Sequence, residues 1–255
     1  MFHIPVDSYT YRTDPILRLF VARDNRKRSQ RQPAILFFHG AGFSTNQVTP
    51  SQFQHHAAVF ASLGMRAICV EYRPAHVEGR YSPMQCLSHA RSAIHWVRQH
   101  ADALAIHPDQ ITAAGASAGG FLALCCAVIE EVDSIRSKPD ACILFNAGVD
   151  AGPLLTMFPA EADALEAVSP VRHVRSELPP SLFFHGTADQ NIPHEQVARF
   201  VQQLQQYGND STLISFPELG HGFFRYGEHG NVPYKETMEA SLAFLQRLYV
   251  IGSNQ

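Results

Sequence analysis

The sequence predicts an α/β protein: one domain over 1–255, built on a mostly parallel central sheet of about eight strands, the first ones antiparallel, with helices on both faces. Three observations predict it. Short apolar runs of the kind that fill strands buried on both faces recur along the chain, segments of helical period separate them, and glycine-rich turns close several of them. Strands that alternate with helices return by right-handed crossovers, and such a sheet carries its ligand site at the carboxyl ends of its strands.

Taken in order, "DSYTYRT" and "ILRLFVA" read as two strands joined by a tight turn at Asp14-Pro15, an antiparallel start. "AILFFHG" has the composition of a central strand, and the same kind of run returns as "MRAICVEY", "QITAAGA", "ACILFNAG", "SLFFHGTAD" and "STLISFPE". Between them "SQFQHHAAVFASLG", "SPMQCLSHARSAIHWVRQHADAL", "GGFLALCCAVIEE", "HEQVARFVQQLQQYG" and "KETMEASLAFLQRLYV" read as helices. Pro193 and Glu195 open the fourth of these and Gly208 closes it. Only 149–180 is long enough outside these elements to act as a small lid.

Composition excludes several classes. With 255 residues, 45% hydrophobic and 17% charged, the chain can bury a full core. A net charge of -3 without a long basic block argues against a nucleic-acid partner, since phosphate neutralisation needs clustered cations. The basic run at 23–31, "RDNRKRSQR", contains an Asp and falls where a hairpin loop belongs, so it reads as a solvated loop. No basic region followed by an apolar run opens the sequence and no apolar run reaches membrane-span length, so a cytoplasmic protein without a membrane partner is expected. The five cysteines are odd in number, and Cys69, Cys125, Cys126 and Cys142 lie inside apolar runs, as free thiols in a reducing compartment would. Neither HExxH nor CxxC pairs occur, His55 and His56 are adjacent and point to different helix faces, and 115–120 lacks the Lys and Ser/Thr of a phosphate loop. No metal or cofactor is therefore expected; monomer and homodimer are both compatible with the sequence.

The strand ends carry the chemistry. A serine hydroxyl is a poor nucleophile until a base takes its proton and a third group orients that base. Gly115-x-Ser117-x-Gly119 follows one strand and opens a helix, the spacing needed for a serine on a strained strand-to-helix turn. Alone, the same small residues would equally suit close helix–strand packing. His221 in "ELGHGFF" is the expected base, with His229 the rival on the same loop; His39 and His185 each precede a glycine at a strand end and are expected to brace their loops. Asp189, closing "FFHGTAD", is the expected acid, with Asp150 the rival one strand earlier. "HGAG" after the central strand offers the N–H groups of Ala41 and Gly42, and Ala118 follows the serine, as donors for an oxyanion hole.

These motifs, "FFHGAGF", "EYRP", "GASAGGFLAL", "FFHGTADQNIP" and "LGHGFF", spread over 34–224 and resemble, in order, those of the α/β-hydrolase fold. Within it the chain is similar to compact carboxylesterases of the hormone-sensitive-lipase group and to bacterial acetyl and feruloyl esterases. The resemblance implies Ser117, Asp189 and His221 as the catalytic triad and Ala41, Gly42 and Ala118 as oxyanion donors. Ala41 departs from the pattern, standing where the family usually has a third consecutive glycine. Phe43, Leu154, Leu155, Met157, Phe158, Phe223 and Phe224 are read either as an acyl or alcohol pocket or as a satellite core beneath a loop. The expected activity is hydrolysis of short-chain or carbohydrate-linked carboxylic esters through an acyl-enzyme on Ser117. The alternatives are an amide-directed relative, formamidase or peptidase-like, and a non-catalytic binding protein of the same fold.

Overall fold

The apolar runs form β1 (Val6–Thr13), β2 (Ile16–Ala22), β3 (Gln32–Phe38), β4 (Arg66–Val70), β5 (Ile106–Ala116), β6 (Ala141–Phe145), β7 (Ser181–Gly186) and β8 (Ser211–Phe216). The periodic segments form α1 (Gln54–Ser62), α2 (Pro83–Gln99), α3 (Ala118–Val128), α6 (His194–Gln206) and α7 (Val232–Leu248), while α4 (Gly152–Met157) and α5 (Ala162–Ala167) lie within 149–180. The computed structural model describes residues 1–24, 30–44, 48–73, 80–130, 136–249 and 251; most of the basic run at 23–31, and Pro74 of "EYRP", lie outside the described residues.

The eight strands form one sheet in the order β1-β2-β4-β3-β5-β6-β7-β8. Only the β1–β2 and β2–β4 pairs are antiparallel; the rest of the sheet is parallel. Side chains alternate between two cores. Ala34, Leu36 and Phe38 of β3 face α2, α3 and α6, whereas Ile35 and Phe37 face α1 and α7. Every residue of β3 is buried, which is why its sequence shows no polar alternation. Helix α6 buries Val197, Phe200, Val201 and Leu204 on one stripe, and each such side chain contributes about 1.5–3 kcal/mol by leaving water. Helix α3 is buried on all sides and its sequence is apolar all round.

The boundaries moved where loops take over. The run "MRAICVEY" leaves the sheet after Val70, because Tyr72 turns to stack on His39 at 4.5 Å and donates its hydroxyl to the His39 carbonyl at 2.8 Å. The two short helices of 149–180 are anchored rather than free: Val149, Ala151 and Leu165 belong to the same core as α2 and α3. Strand β3 has β4 on one side and β5 on the other, so the loops leaving β3 and β5 diverge and open a crevice between them.

Candidate active site

Ser117 sits at the apex of the turn between β5 and α3, with φ 53° and ψ −118°. That conformation is strained for a residue with a Cβ and persists only where the surroundings enforce it. The glycines explain how. A Cβ on Gly115 would come within 2.4 Å of the Gly119 carbonyl oxygen, and one on Gly119 within 2.1 Å of the Phe38 carbonyl oxygen. The turn is thus clamped between its own helix and the end of β3. Ser117 makes no capping hydrogen bond to α3 and lines a cavity of about 680 Å³. The N–H of Ala118 begins α3 and so has no partner within the helix.

The neighbouring 39–44 loop completes that wall. Ala41, Gly42 and Phe43 all have positive φ, at 106°, 56° and 58°, and all line the cavity. Ala41 therefore adopts the conformation that the resemblance assigns to a glycine, at a cost of order 1–3 kcal/mol for a residue with a Cβ. Contacts from distant chain hold it there. Gln52 accepts the Gly40 N–H at 2.8 Å, and the buried Arg73 donates to the carbonyls of Ser44 and, at 2.7 Å, Val48. His39 is buried and donates Nδ1–H to the Gly40 carbonyl at 2.9 Å. Burial and the Arg73 charge push its pKa down to about 3, so the ring is neutral.

Asp189 lies beyond β7 with its side chain fully buried. One carboxylate oxygen accepts the N–H groups of Asn191 and Ile192 at 2.9 and 3.1 Å. The other accepts His221 Nδ1–H at 2.8 Å and stands 3.3 Å from His185 Nε2. Burial alone would raise this carboxyl's pKa, but the hydrogen bonds from His185, His221 and Ile192 outweigh it and hold the group well below the usual carboxylate range. Because Nδ1 carries the proton that meets Asp189, the Nε2 of His221 keeps its lone pair, and the ring lines the same cavity as Ser117. His185 Nε2 faces two acceptors, Asp189 and the Ile192 carbonyl at 2.9 Å, so Nε2 holds its proton and the residue braces the acid loop. Gly186 allows the two loops to cross: a Cβ there would stand 2.1 Å from the Leu219 carbonyl oxygen.

Asp150 lines the cavity but meets only neutral donors, the Gly152 N–H at 3.0 Å, Ser169 Oγ at 3.0 Å and Gln196 Nε2 at 3.2 Å. His229 is exposed and does not line the cavity. Among the pocket residues read from the sequence, Phe43, Leu154, Met157 and Phe224 line the cavity. Phe158 and Phe223 do not line it and pack with the core, so for these two the pocket reading gives way to its satellite-core alternative. Phe158 meets Phe43 edge-on from behind at 6.3 Å, and Phe223 is buried against Phe216 at 4.5 Å. Leu155 likewise packs on the core beneath.

One residue the sequence did not single out touches His221. Asn146 directly follows β6, is buried, and places Nδ2 at 3.2 Å from Nδ1 and 3.1 Å from Nε2 of the imidazole. An atom at equal distance from both ring nitrogens and in the ring plane would overlap the carbon between them, so the amide lies over the ring face. Gln52, Asn146 and the rim residue Arg225 carry no local sequence signal, since their roles arise only from contacts between separate loops. Among the described residues, no group of three or more His, Cys, Asp or Glu side chains is placed to hold a metal ion.

Residues 22–152 match the BD-FAE family. The chain belongs to that family. Beyond it, residues 154–249 match the prolyl oligopeptidase family. Among solved structures, esterase 2 of Thermogutta terrifontis, phosphoramylated by tabun, is 32% identical with a TM-score of 0.89, over 98% of this chain and 97% of that one. The same esterase has been solved with butyrate and with propionate bound. The fold is thereby the α/β-hydrolase fold of these esterases. Lipase 2 of Moraxella sp. (strain TA144) is 33% identical over 44% of this chain and 26% of its own length. An acylamino-acid-releasing enzyme of Arabidopsis thaliana is 24% identical over 82% of this chain and 30% of its own. This BD-FAE chain thus spans less than a third of the length of those two curated relatives.

Proposed function

We propose that this protein is a serine hydrolase of short-chain carboxylic esters, with Ser117 as nucleophile, His221 as general base and Asp189 as the acid that orients it. One observation carries the reading: Ser117 on its strained turn and the His221 ring, its Nδ1–H fixed by Asp189, open onto one cavity. As Ser117 Oγ attacks the ester carbonyl, its proton passes to His221 Nε2 and Asp189 stabilises the imidazolium. The carbonyl oxygen takes up the electron pair and is met by the N–H groups of Ala41, Gly42 and Ala118 at the positive end of α3. Collapse of the intermediate expels the alcohol, which takes the proton from Nε2 and leaves an ester on Ser117. Water then attacks, losing its proton to His221, and the acid departs with Ser117 restored.

Short acyl groups are favoured by the bound butyrate and propionate in the Thermogutta esterase. Carbohydrate-linked esters belong in the same class of substrate. We take 149–180 as a small lid, because Leu154 and Met157 line the cavity while Leu165 pins the segment to the core. Among the described residues no helix is long and apolar enough to cross a membrane, and all five cysteines are buried free thiols, which suits a reducing cytoplasm. A second reading, cleavage of acylated amines, is favoured by the match of 154–249 to the prolyl oligopeptidase family and by the acylamino-acid-releasing relative.

The test is hydrolysis of p-nitrophenyl acetate and butyrate with burst kinetics. Wild type releases one equivalent of p-nitrophenol per enzyme in the burst, and Ser117→Ala loses both burst and turnover. Normal turnover by Ser117→Ala would sink the proposal, and faster turnover of N-formyl or N-acyl amides than of matched esters would replace it with the amide reading.

A further inference from the structure

The catalytic cavity does not end at His221. A second groove of about 310 Å³ shares Val48, Gln52 and Arg225 with it and runs outward to a wall formed by His55 and Tyr226. Those two rings stack at 4.0 Å with an interplanar angle of 21°, and Tyr234 supports Tyr226 edge-on at 5.3 Å. Tyr226 is 52% exposed, so the outer side of the pair presents an aromatic surface. Partial burial and the nearby His3 lower the His55 pKa, which keeps that ring neutral.

Charge in the groove is one-sided. Among the described residues its lining holds no carboxylate, and its remaining polar groups are neutral, leaving Arg225 as the only cation there. Arg98, Arg175 and Arg247 each face a carboxylate, whereas the Arg225 guanidinium has no ion pair among the described residues. It is folded back over the residue that follows the catalytic histidine: a Cβ on Gly222 would stand 3.2 Å from its central carbon. His221 and Arg225 line one cavity, so the alcohol that takes the proton from Nε2 is released into a space that continues past Arg225 into the groove.

We propose that this groove is a leaving-group subsite for esters of aromatic alcohols that carry an anionic substituent, the ring resting on His55 and Tyr226 and the carboxylate meeting Arg225. A planar guanidinium suits a carboxylate held in two parallel hydrogen bonds, and an aromatic pair suits a flat ring. The inference rests on the ester-hydrolase reading, and its test separates the two. The measurement is kcat/KM for 3-carboxyphenyl acetate and for its neutral isostere 3-carbamoylphenyl acetate, taken as a ratio within each enzyme so that intrinsic reactivity cancels between enzymes. The ratio for wild type is expected to exceed that for Arg225→Gln by about fivefold at low salt, the scale of a partly exposed ion pair, with partial recovery in Arg225→Lys. In wild type the ratio declines as ionic strength rises. Tyr226→Ala raises KM for both esters. An equal ratio in wild type and Arg225→Gln overturns the subsite. Turnover of p-nitrophenyl butyrate without turnover of either aryl acetate also overturns the subsite alone, whereas inactivity on all three esters overturns the ester-hydrolase reading beneath it.

Discussion

The ends of β6 and β7 each present a carboxylate to the same cavity, and the two are wired differently. Asp150, beyond β6, receives a backbone N–H, a hydroxyl and an amide, and these tie together the 149–180 segment and α6. Asp189, beyond β7, receives two backbone N–H groups and two imidazoles. Both are well hydrogen-bonded, so saturation does not distinguish a catalytic acid from a bracing one. What differs is the donor: only an imidazole can change its charge during a reaction, and only Asp189 holds one that faces the cavity.

Exchanging each carboxylate for an amide sharpens that contrast most. Asp189→Asn presents an N–H where His221 needs an acceptor, disfavours the required tautomer, and is expected to lower kcat by about 10³- to 10⁴-fold. A ranking in which Asp150→Asn loses more than Asp189→Asn would transfer the acid's role to the end of β6. Next comes Asn146, the residue after β6, whose side chain reaches across to His221 beyond β8. Removing its amide in Asn146→Ala frees the imidazole face, and kcat is expected to fall about tenfold with KM changed less than twofold, the signature of lost orientation rather than lost binding. A fall confined to KM would refute a role in holding the ring. Asp150→Asn keeps one acceptor oxygen, so its kcat should stay within about threefold of wild type while thermal unfolding shifts down by a few degrees, about 1 kcal/mol.

The smallest effect contrasts the wired histidines with an unwired one. His56 on α1 is buried among Phe53, Phe145, Phe224 and Tyr234, and neither ring nitrogen has a hydrogen-bond partner among the described residues. Burial and the neighbouring His55 push its pKa down to about 3, and His39 is lowered to about 3 by burial and Arg73. Both start from 6.5, so as pH falls the unfolded chain binds their protons first. The stability they allow is complete above pH 6.5 and declines continuously toward pH 3. The Asp189 carboxyl adds to this at lower pH, since its depressed value gives stability that is present above the ordinary aspartate range and lost as pH falls through its folded value. Replacing His56 with Leu removes two unpartnered nitrogens and one acid-labile group. It is expected to stabilise the protein by about 1 kcal/mol at neutral pH and to flatten the fall of Tm with acid; a Tm that drops at pH 7 would show the ring to be better accommodated than its missing partners suggest.

What could be read from the sequence divides along the same line between local and distant contact. Strand ends were legible because a fully buried strand must be a continuous apolar run and a tight exit from it must be glycine-rich, as at Phe38 to Gly42 and Ala116 to Gly120. The order Ser117, Asp189, His221 could be proposed from those exits alone. Helices α4 and α5 were not legible, since six residues give too few turns for a period to show, and Leu165 is buried by tertiary packing. Phe223 and Phe224 illustrate another limit of pattern: both are buried in the same core, and only the fold brings Phe224 to the edge of the cavity as well. Gln52, Asn146 and Arg73 act through contacts 12, 75 and 25 to 29 positions away, where no window of sequence brings the partners together.

The missing side chain at Gly119 has a consequence for how this protein can be altered. Because the turn bearing Ser117 is pressed against the carbonyls that end β3, a methyl group added at Gly115 or Gly119 would displace the Ser117 turn, and one at Gly119 the end of β3 as well. Substitutions at those two glycines will therefore fail for mechanical reasons, while Leu154, Met157 and Arg225, which line the cavity away from that contact, are where libraries should be drawn.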